Sequence, residues 1–233
     1  MKLAILELLD RAAREGREVV LVTDLASGAQ AVIEGGARVA GDLVLSDDVV
    51  SSAETAQATR ENRHVETGEG AFFLQVYGPA LRMIVVGAVH IAQALVPMAR
   101  LAGFDVTLID PRTAFATPER FPETRILTEW AETVLPGLAP DSRTAVITLT
   151  HDPKLDEPAL AAALRSPAFY IGALGSRRSA VSRNKRLARL GFSDAEIGRI
   201  HGPVGLPLGA VTPAEIAVAI LAEAVKVLRT GIA

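Results

Sequence analysis

Residues 83–95 read MIVVGAVHIAQAL, an apolar β-branched run, a glycine turn and an amphipathic continuation. This is the sequence of a strand, a tight turn and a helix, the opening of a dinucleotide-binding βα unit. The usual turn is G-x-G-x-x-G/A. Its first glycine makes the bend, its second lets a pyrophosphate approach the backbone, and its third lets helix and strand pack closely. Gly87 and Ala92 keep the first and third places, but the second is Val89. An isopropyl group there removes the room for a pyrophosphate in the usual pose, and a β-branched residue is poorly suited to a positive φ. The turn therefore predicts the fold while arguing against ordinary NAD(P) binding.

Downstream, strands alternate with helices. DVTLID, a short RIL, TAVITLT and AFYIG read as strands, and IAQALVPMARLAG reads as a helix closed by Gly103. Asp156 is the expected cap of PALAAALRS. Thr212, Pro213 and Glu215 form a capping-box signature for the last helix, and Ser193 with Glu196 repeats it for a short one. Such alternation predicts an α/β fold, a Rossmann-like parallel sheet with helices on both faces, where ligands bind beyond the carboxyl ends of the strands.

Upstream the pattern differs. An opening helix, a hairpin around Ser27-Gly28, a polar helix near Asp47 to Arg60 and a hairpin turning at Gly68 to Gly70 describe a small α+β N-terminal domain. The expected division is 1–79 for this domain, read as a dimerisation or lid module, and 80–233 for the Rossmann-like domain. Glu34-Gly35-Gly36 reads as a plain turn. The small domain's open sheet faces predict a homodimer.

Composition narrows the function. At 49% apolar and 22% charged, the chain reads as globular. Its net charge of −3 gives no basic excess for nucleic acid, and no apolar run is long enough to span a membrane. The start carries acids at helical spacing rather than the form of a secretion signal, so the expected location is cytoplasmic. The chain has no cysteine, which excludes thiolate ligands and persulfide chemistry on its own residues.

Candidate site residues cluster at predicted strand ends. Asp110 closes the second strand of the Rossmann-like domain, where a ribose-binding acid would stand, and Arg112 follows it. His90 follows Val89, and His151 and Asp152 follow TAVITLT. His201 lies in RIHGPVGL and is expected to join the other two histidines at one crevice. Capping and ligand orientation are both open for these histidines. A metal site with Asp152 has no matching ligand spacing. In YIGALGSRRS, the turn from Gly172 through Gly175 and Ser176 leads into Arg177 and Arg178 at a helix start. Cations there oppose the helix dipole, and a bound phosphate would reverse the sign. Arg183, Lys185, Arg186 and Arg189 read as a solvated basic face.

Together these motifs resemble the XdhC/CoxI family of molybdenum hydroxylase maturation factors, with the GAVHIA spelling closer to the CoxI-type branch. The resemblance runs from about Pro79 to the end, through GAVHIAQAL, IDPRTAFATPERFP, TLTHDPKLDEPAL, YIGALGSRR, IHGPVGL and TPAEIAVAILAE. It implies a chaperone without catalytic residues of its own. Such a chaperone binds molybdenum cofactor (molybdopterin) and aids its insertion into the apo-enzyme of a xanthine dehydrogenase or carbon monoxide dehydrogenase type hydroxylase. A cysteine desulfurase or a second maturation protein is a further candidate partner. The GSAPR-like and GGCVE-like segments of longer family members have no counterpart here, so the N-terminal domain is a shortened one. An NAD(P)-dependent oxidoreductase using the same crevice is the alternative, and an interaction module with a relict crevice is a third reading.

Overall fold

The computed structural model describes residues 2–230. The chain divides into two compact units, one ending at Ala80 and the other beginning at Leu81.

The first unit is an antiparallel sheet with one helix on each face. Its elements are α1 (Leu3–Arg14), β1 (Val19–Asp24), β2 (Gln30–Glu34), β3 (Ala37–Gly41), α2 (Asp47–Thr59), β4 (Arg63–Thr67) and β5 (Gly70–Tyr77). The strand order is β3-β2-β1-β5-β4. Central β1 alternates with period two. Val19 and Leu21 join Ile5, Leu9 and Ala12 of α1, while Val20 and Val22 join Val49, Ala53 and Ala56 of α2. Gly35 and Gly36, at φ 55° and 76°, form the two-residue turn of the β2–β3 hairpin. Sequence reading stops at that turn and misses β3, whose side chains are mostly exposed.

The second unit contains β6 (Leu81–Val86), α3 (His90–Leu101), β7 (Phe104–Ile109), β8 (Arg125–Leu127), α4 (Ala131–Leu138), β9 (Thr144–Thr148) and α5 (Pro153–Leu164). It continues through β10 (Tyr170–Ala173), α6 (Arg177–Arg189), α7 (Asp194–Ile197), β11 (Ile200–His201) and α8 (Pro213–Thr230). All strand pairs are parallel. The six-stranded order is β8-β7-β6-β9-β10-β11, that is 3-2-1-4-5-6 in order of appearance, the doubly wound arrangement. Met83, Val85 and Ile147 face the layer of α3 and α8. Ile84, Val86 and Val146 face the layer that includes α4, α5 and α6. The order reverses between β6 and β9, which pair directly. The crevice at that switch lies where Gly87 and Thr150 leave their strands.

Both expected capping boxes form. Ser193 and Glu196 exchange their bonds, as do Thr212 and Glu215. The expected cap of α5 is corrected. Asp152 is its N-cap, accepting from Lys154 N at 2.9 Å, and Pro153 is the first helical residue. Asp156 lies inside the first turn, buried, and is bonded instead to Thr150.

Candidate functional site

The β6–α3 turn rests on Gly87. At φ 113° it takes a conformation L side chains rarely adopt, and a Cβ there would lie 2.6 Å from the Thr150 Cγ2 methyl group. Gly87 therefore lets the ends of β6 and β9 close on each other at the switch point. Val89 does not carry the strain that a positive φ would impose. It is the N-cap of α3 in an extended conformation, φ −94° and ψ 174°, and its side chain packs against the core beneath α3.

Asp110 is fully buried at the end of β7. Its Oδ2 accepts the Ala88 N–H at 2.7 Å and Arg112 Nη2 at 2.8 Å, while Oδ1 accepts the Arg112 N–H and Nε at 2.9 Å each. Burial alone would raise its pKa. The Arg112 hydrogen bonds, with the Ala88 N–H, outweigh that and hold the carboxyl below its usual range. The carboxylate thus ties the Gly87–Ala88 turn to Arg112, and all its acceptor capacity is used within the chain. A ribose hydroxyl would have to displace one of these bonds. Arg112 remains partly exposed, with its guanidinium 4.9 Å from the Phe115 ring.

His90 opens α3 and is exposed. His151, also exposed, leaves β9 with φ 61°, a left-handed conformation unusual for a non-glycine residue. Because β6 and β9 are adjacent and parallel, the two histidines share the carboxyl edge. Thr150 fixes the loop that presents His151: its Oγ1 donates to Asp156 Oδ1 at 2.6 Å and accepts the Asp152 N–H at 3.1 Å. Burial, the dominant influence, pushes the Asp156 pKa up despite these bonds.

His201 does not stand free at that edge. On β11, opposite Gly172, its ring packs 4.6 Å from the Tyr170 ring, and its Nδ1 is 3.4 Å from Glu223 Oε1. Glu223 also accepts the Tyr170 hydroxyl at 2.5 Å and the Gly205 N–H at 2.8 Å. His201, expected at the crevice with His90 and His151, is thus committed to a buried polar cluster against α8. Burial first, and then Glu223, raise the Tyr170 pKa far above that of an ordinary phenol, so Tyr170 keeps its proton and is no general base.

At the β10–α6 turn, Ser176 caps the helix, its Oγ accepting the Ser179 N–H at 3.2 Å. One of the N–H groups at the start of α6 is therefore satisfied within the chain. Arg177 and Arg178 are the first two helical residues and are exposed. The predicted solvated basic face holds for Lys185 and Arg189 but fails at Arg183. That residue is only 7% exposed and lies on the inner stripe with Ala180 and Leu187. The i, i+3, i+7 spacing of these three is the signal that sequence reading passed over. Among the described residues, no group of three or more His, Cys, Asp or Glu side chains is placed to hold a metal ion.

Residues 83–224 match the XdhC Rossmann domain family. The chain is 32% identical over 160 residues to YqeB of Escherichia coli K12, covering 69% of this chain and 30% of that protein. It is 32% identical over 151 residues to the molybdenum cofactor insertion chaperone PaoD of the same organism, covering 65% of this chain and 41% of PaoD. A solved structure from Bacillus halodurans, described as a xanthine dehydrogenase, superposes with a TM-score of 0.71 at 25% identity, over 98% of this chain and 66% of that one. The chain thus spans less than half the length of either curated relative.

Proposed function

This chain belongs to the XdhC family, and from that membership we propose that it is a molybdenum cofactor insertion chaperone serving a molybdenum hydroxylase. On this reading it binds the cofactor at the carboxyl edge of the six-stranded sheet and delivers it to the apo-enzyme. Its similarity to PaoD supports the assignment.

The observation that carries it is the state of Asp110. The fold has the strand order of a dinucleotide-binding domain, yet the acid at the ribose position is buried and saturated by Ala88 and Arg112. Val89 stands in the middle place of the fingerprint. The Tyr170 hydroxyl is bonded to Glu223 and not to a lysine. These features disfavour NAD(P)-dependent oxidoreduction and leave an edge suited to a phosphate-bearing ligand of different shape.

The residues fit such a ligand chemically. Arg177 and Arg178 flank a capped turn at a helix N-terminus, and Arg183 is a buried guanidinium whose Nε has no partner. Molybdopterin ends in a phosphate, which the Gly172–Ser176 turn with Arg177 and Arg178 would hold. Gly87, Val89, His90, Arg112, His151 and Asp152 would border the ring system, with Asp110 positioning Arg112. Bound, the cofactor supplies the redox chemistry of the hydroxylase, and this chain supplies binding and orientation. His201 would act only indirectly, by supporting β10.

The same reading includes a homodimer, a cytoplasmic location, and a cysteine desulfurase or second maturation factor as additional partner. In it, the first unit is the accessory domain of the family. Direct binding of molybdenum cofactor, measured anaerobically beside NAD and NADP, is the test.

A further inference from the structure

Arg183 is a cation without an anion. Its residue is 7% exposed and its Nε is fully buried with no hydrogen-bond partner. Among the described residues its guanidinium makes no ion pair. A guanidinium stays charged in proteins, so burial cannot remove the problem by deprotonating it. The group is also confined, since a side chain on Gly202 would overlap its Nη2.

The two nearby carboxylates are already engaged. Glu157 Oε1 accepts Arg186 Nε at 2.6 Å. Asp156 accepts Thr150 Oγ1 at 2.6 Å and the Thr150 N–H at 3.3 Å. Both pull electrostatically on Arg183, but neither pairs with it. A buried charge in this condition is costly unless water or a ligand completes it.

Arg183 borders a small cavity of about 70 Å³, together with His151, Pro153, Leu174, Ser179 and Arg186; the engaged carboxylates Asp156 and Glu157 complete its lining. It opens to solvent on one side, and its size suits a small polar guest such as a single tetrahedral oxyanion. Pro153 is the first residue of α5 and Ser179 the third of α6, so two helix N-termini converge on the space. Their dipoles favour negative charge, and Arg186, which pairs with Glu157 through Nε, adds a second guanidinium at the rim, while the Ser179 hydroxyl is held by the Ser176 carbonyl at 2.8 Å.

We propose that this cavity is a seat for a tetrahedral oxyanion, with Arg183 as its fixed buried cation. The phosphoryl group it takes is either free inorganic phosphate or the phosphate end of a larger ligand. The seat stands on the geometry of Arg183 and not on the cofactor reading.

The test is titration of the full chain with inorganic phosphate at constant ionic strength, followed by calorimetry and thermal unfolding. The wild type should bind one equivalent saturably with a rise in Tm. Arg183→Met should weaken phosphate binding at least tenfold, and the Arg177→Ala/Arg178→Ala double variant should retain it. Should Arg183→Met fail to fold, Ser179→Asp decides. It places a carboxylate one helical turn from Arg183 and in a favourable dipole position, so it should raise Tm without phosphate and abolish the phosphate response. Absence of saturable phosphate binding in the wild type, or unchanged binding in Arg183→Met or Ser179→Asp, overturns the proposal. Adding molybdopterin distinguishes the sources: competition with phosphate assigns the seat to the pterin's phosphate end in place of the Gly172–Ser176 turn, and independent binding assigns it to the free oxyanion. A chain that binds phosphate in this way but no pterin keeps the seat and loses the chaperone reading.

Discussion

Asp110 Oδ2 accepts the Ala88 N–H at 2.7 Å, joining two turns 22 residues apart in sequence. The bond fixes the β6–α3 turn from the end of the neighbouring strand, and Arg112 neutralises the buried charge. Asp110→Ala leaves the Ala88 N–H buried without its partner and releases Arg112. We expect a loss of about 1–3 kcal/mol, the range for leaving a buried donor unsatisfied, since the released Arg112 is open to solvent, measured by denaturant unfolding. The pH dependence has a definite sign. The Asp110 pKa is lower folded than unfolded, so its stabilisation is complete above the ordinary carboxylate value and is lost as pH falls through the lowered one. The acid limb of a stability profile should therefore be shallower in Asp110→Ala than in the wild type.

Tyr170 gives the opposite sign. Its folded pKa is raised, so the stabilisation is complete below the unfolded phenol value of about 10 and is lost as pH rises beyond it. Tyr170→Phe should cost about 2 kcal/mol near neutrality through loss of the bond to Glu223. The difference between variant and wild type should then shrink in alkaline solution. A constant difference up to pH 11 would contradict the assignment.

His151 occupies a left-handed conformation at φ 61°. His151→Gly relieves that strain while freeing the unfolded chain, and the two effects nearly cancel. Stability should stay within about 1 kcal/mol of the wild type. Cofactor retention, read from the protein-bound pterin after gel filtration, should nevertheless fall. Unchanged retention would make the loop conformation structural only.

Arg177 and Arg178 sit where the dipole of α6 disfavours cations. Alanine at both should weaken molybdopterin binding by about tenfold or more without destabilising the free protein. Binding to the wild type should weaken with added salt, and the double variant should lose much of that sensitivity.

Most of the fold is legible in sequence because apolar residues record which faces are buried. β1 and β6 are buried on both faces and announce themselves as continuous runs, and the capping pairs at Ser193 and Thr212 mark helix starts directly. β3 escapes because ARVAG is an exposed edge strand of small and charged residues. α4 escapes because Pro136 and Gly137 lie inside it. The site is less legible because its key contacts join distant segments. Asp110 reads as a ligand-facing acid until its partner proves to be the backbone of Ala88. His201 reads as a crevice residue until Glu223 of α8 is seen beside it. Arg183 reads as solvated until its place on the inner stripe of α6 is counted.

The central claim is that this crevice serves molybdenum cofactor and not a nicotinamide dinucleotide. Anaerobic equilibrium titration of the full chain with molybdenum cofactor, in parallel with NAD and NADP, tests it most directly. The account predicts saturable cofactor binding at one equivalent per chain and no saturable binding of either dinucleotide in the same concentration range. Tight binding of NAD or NADP with no retention of the cofactor would contradict it.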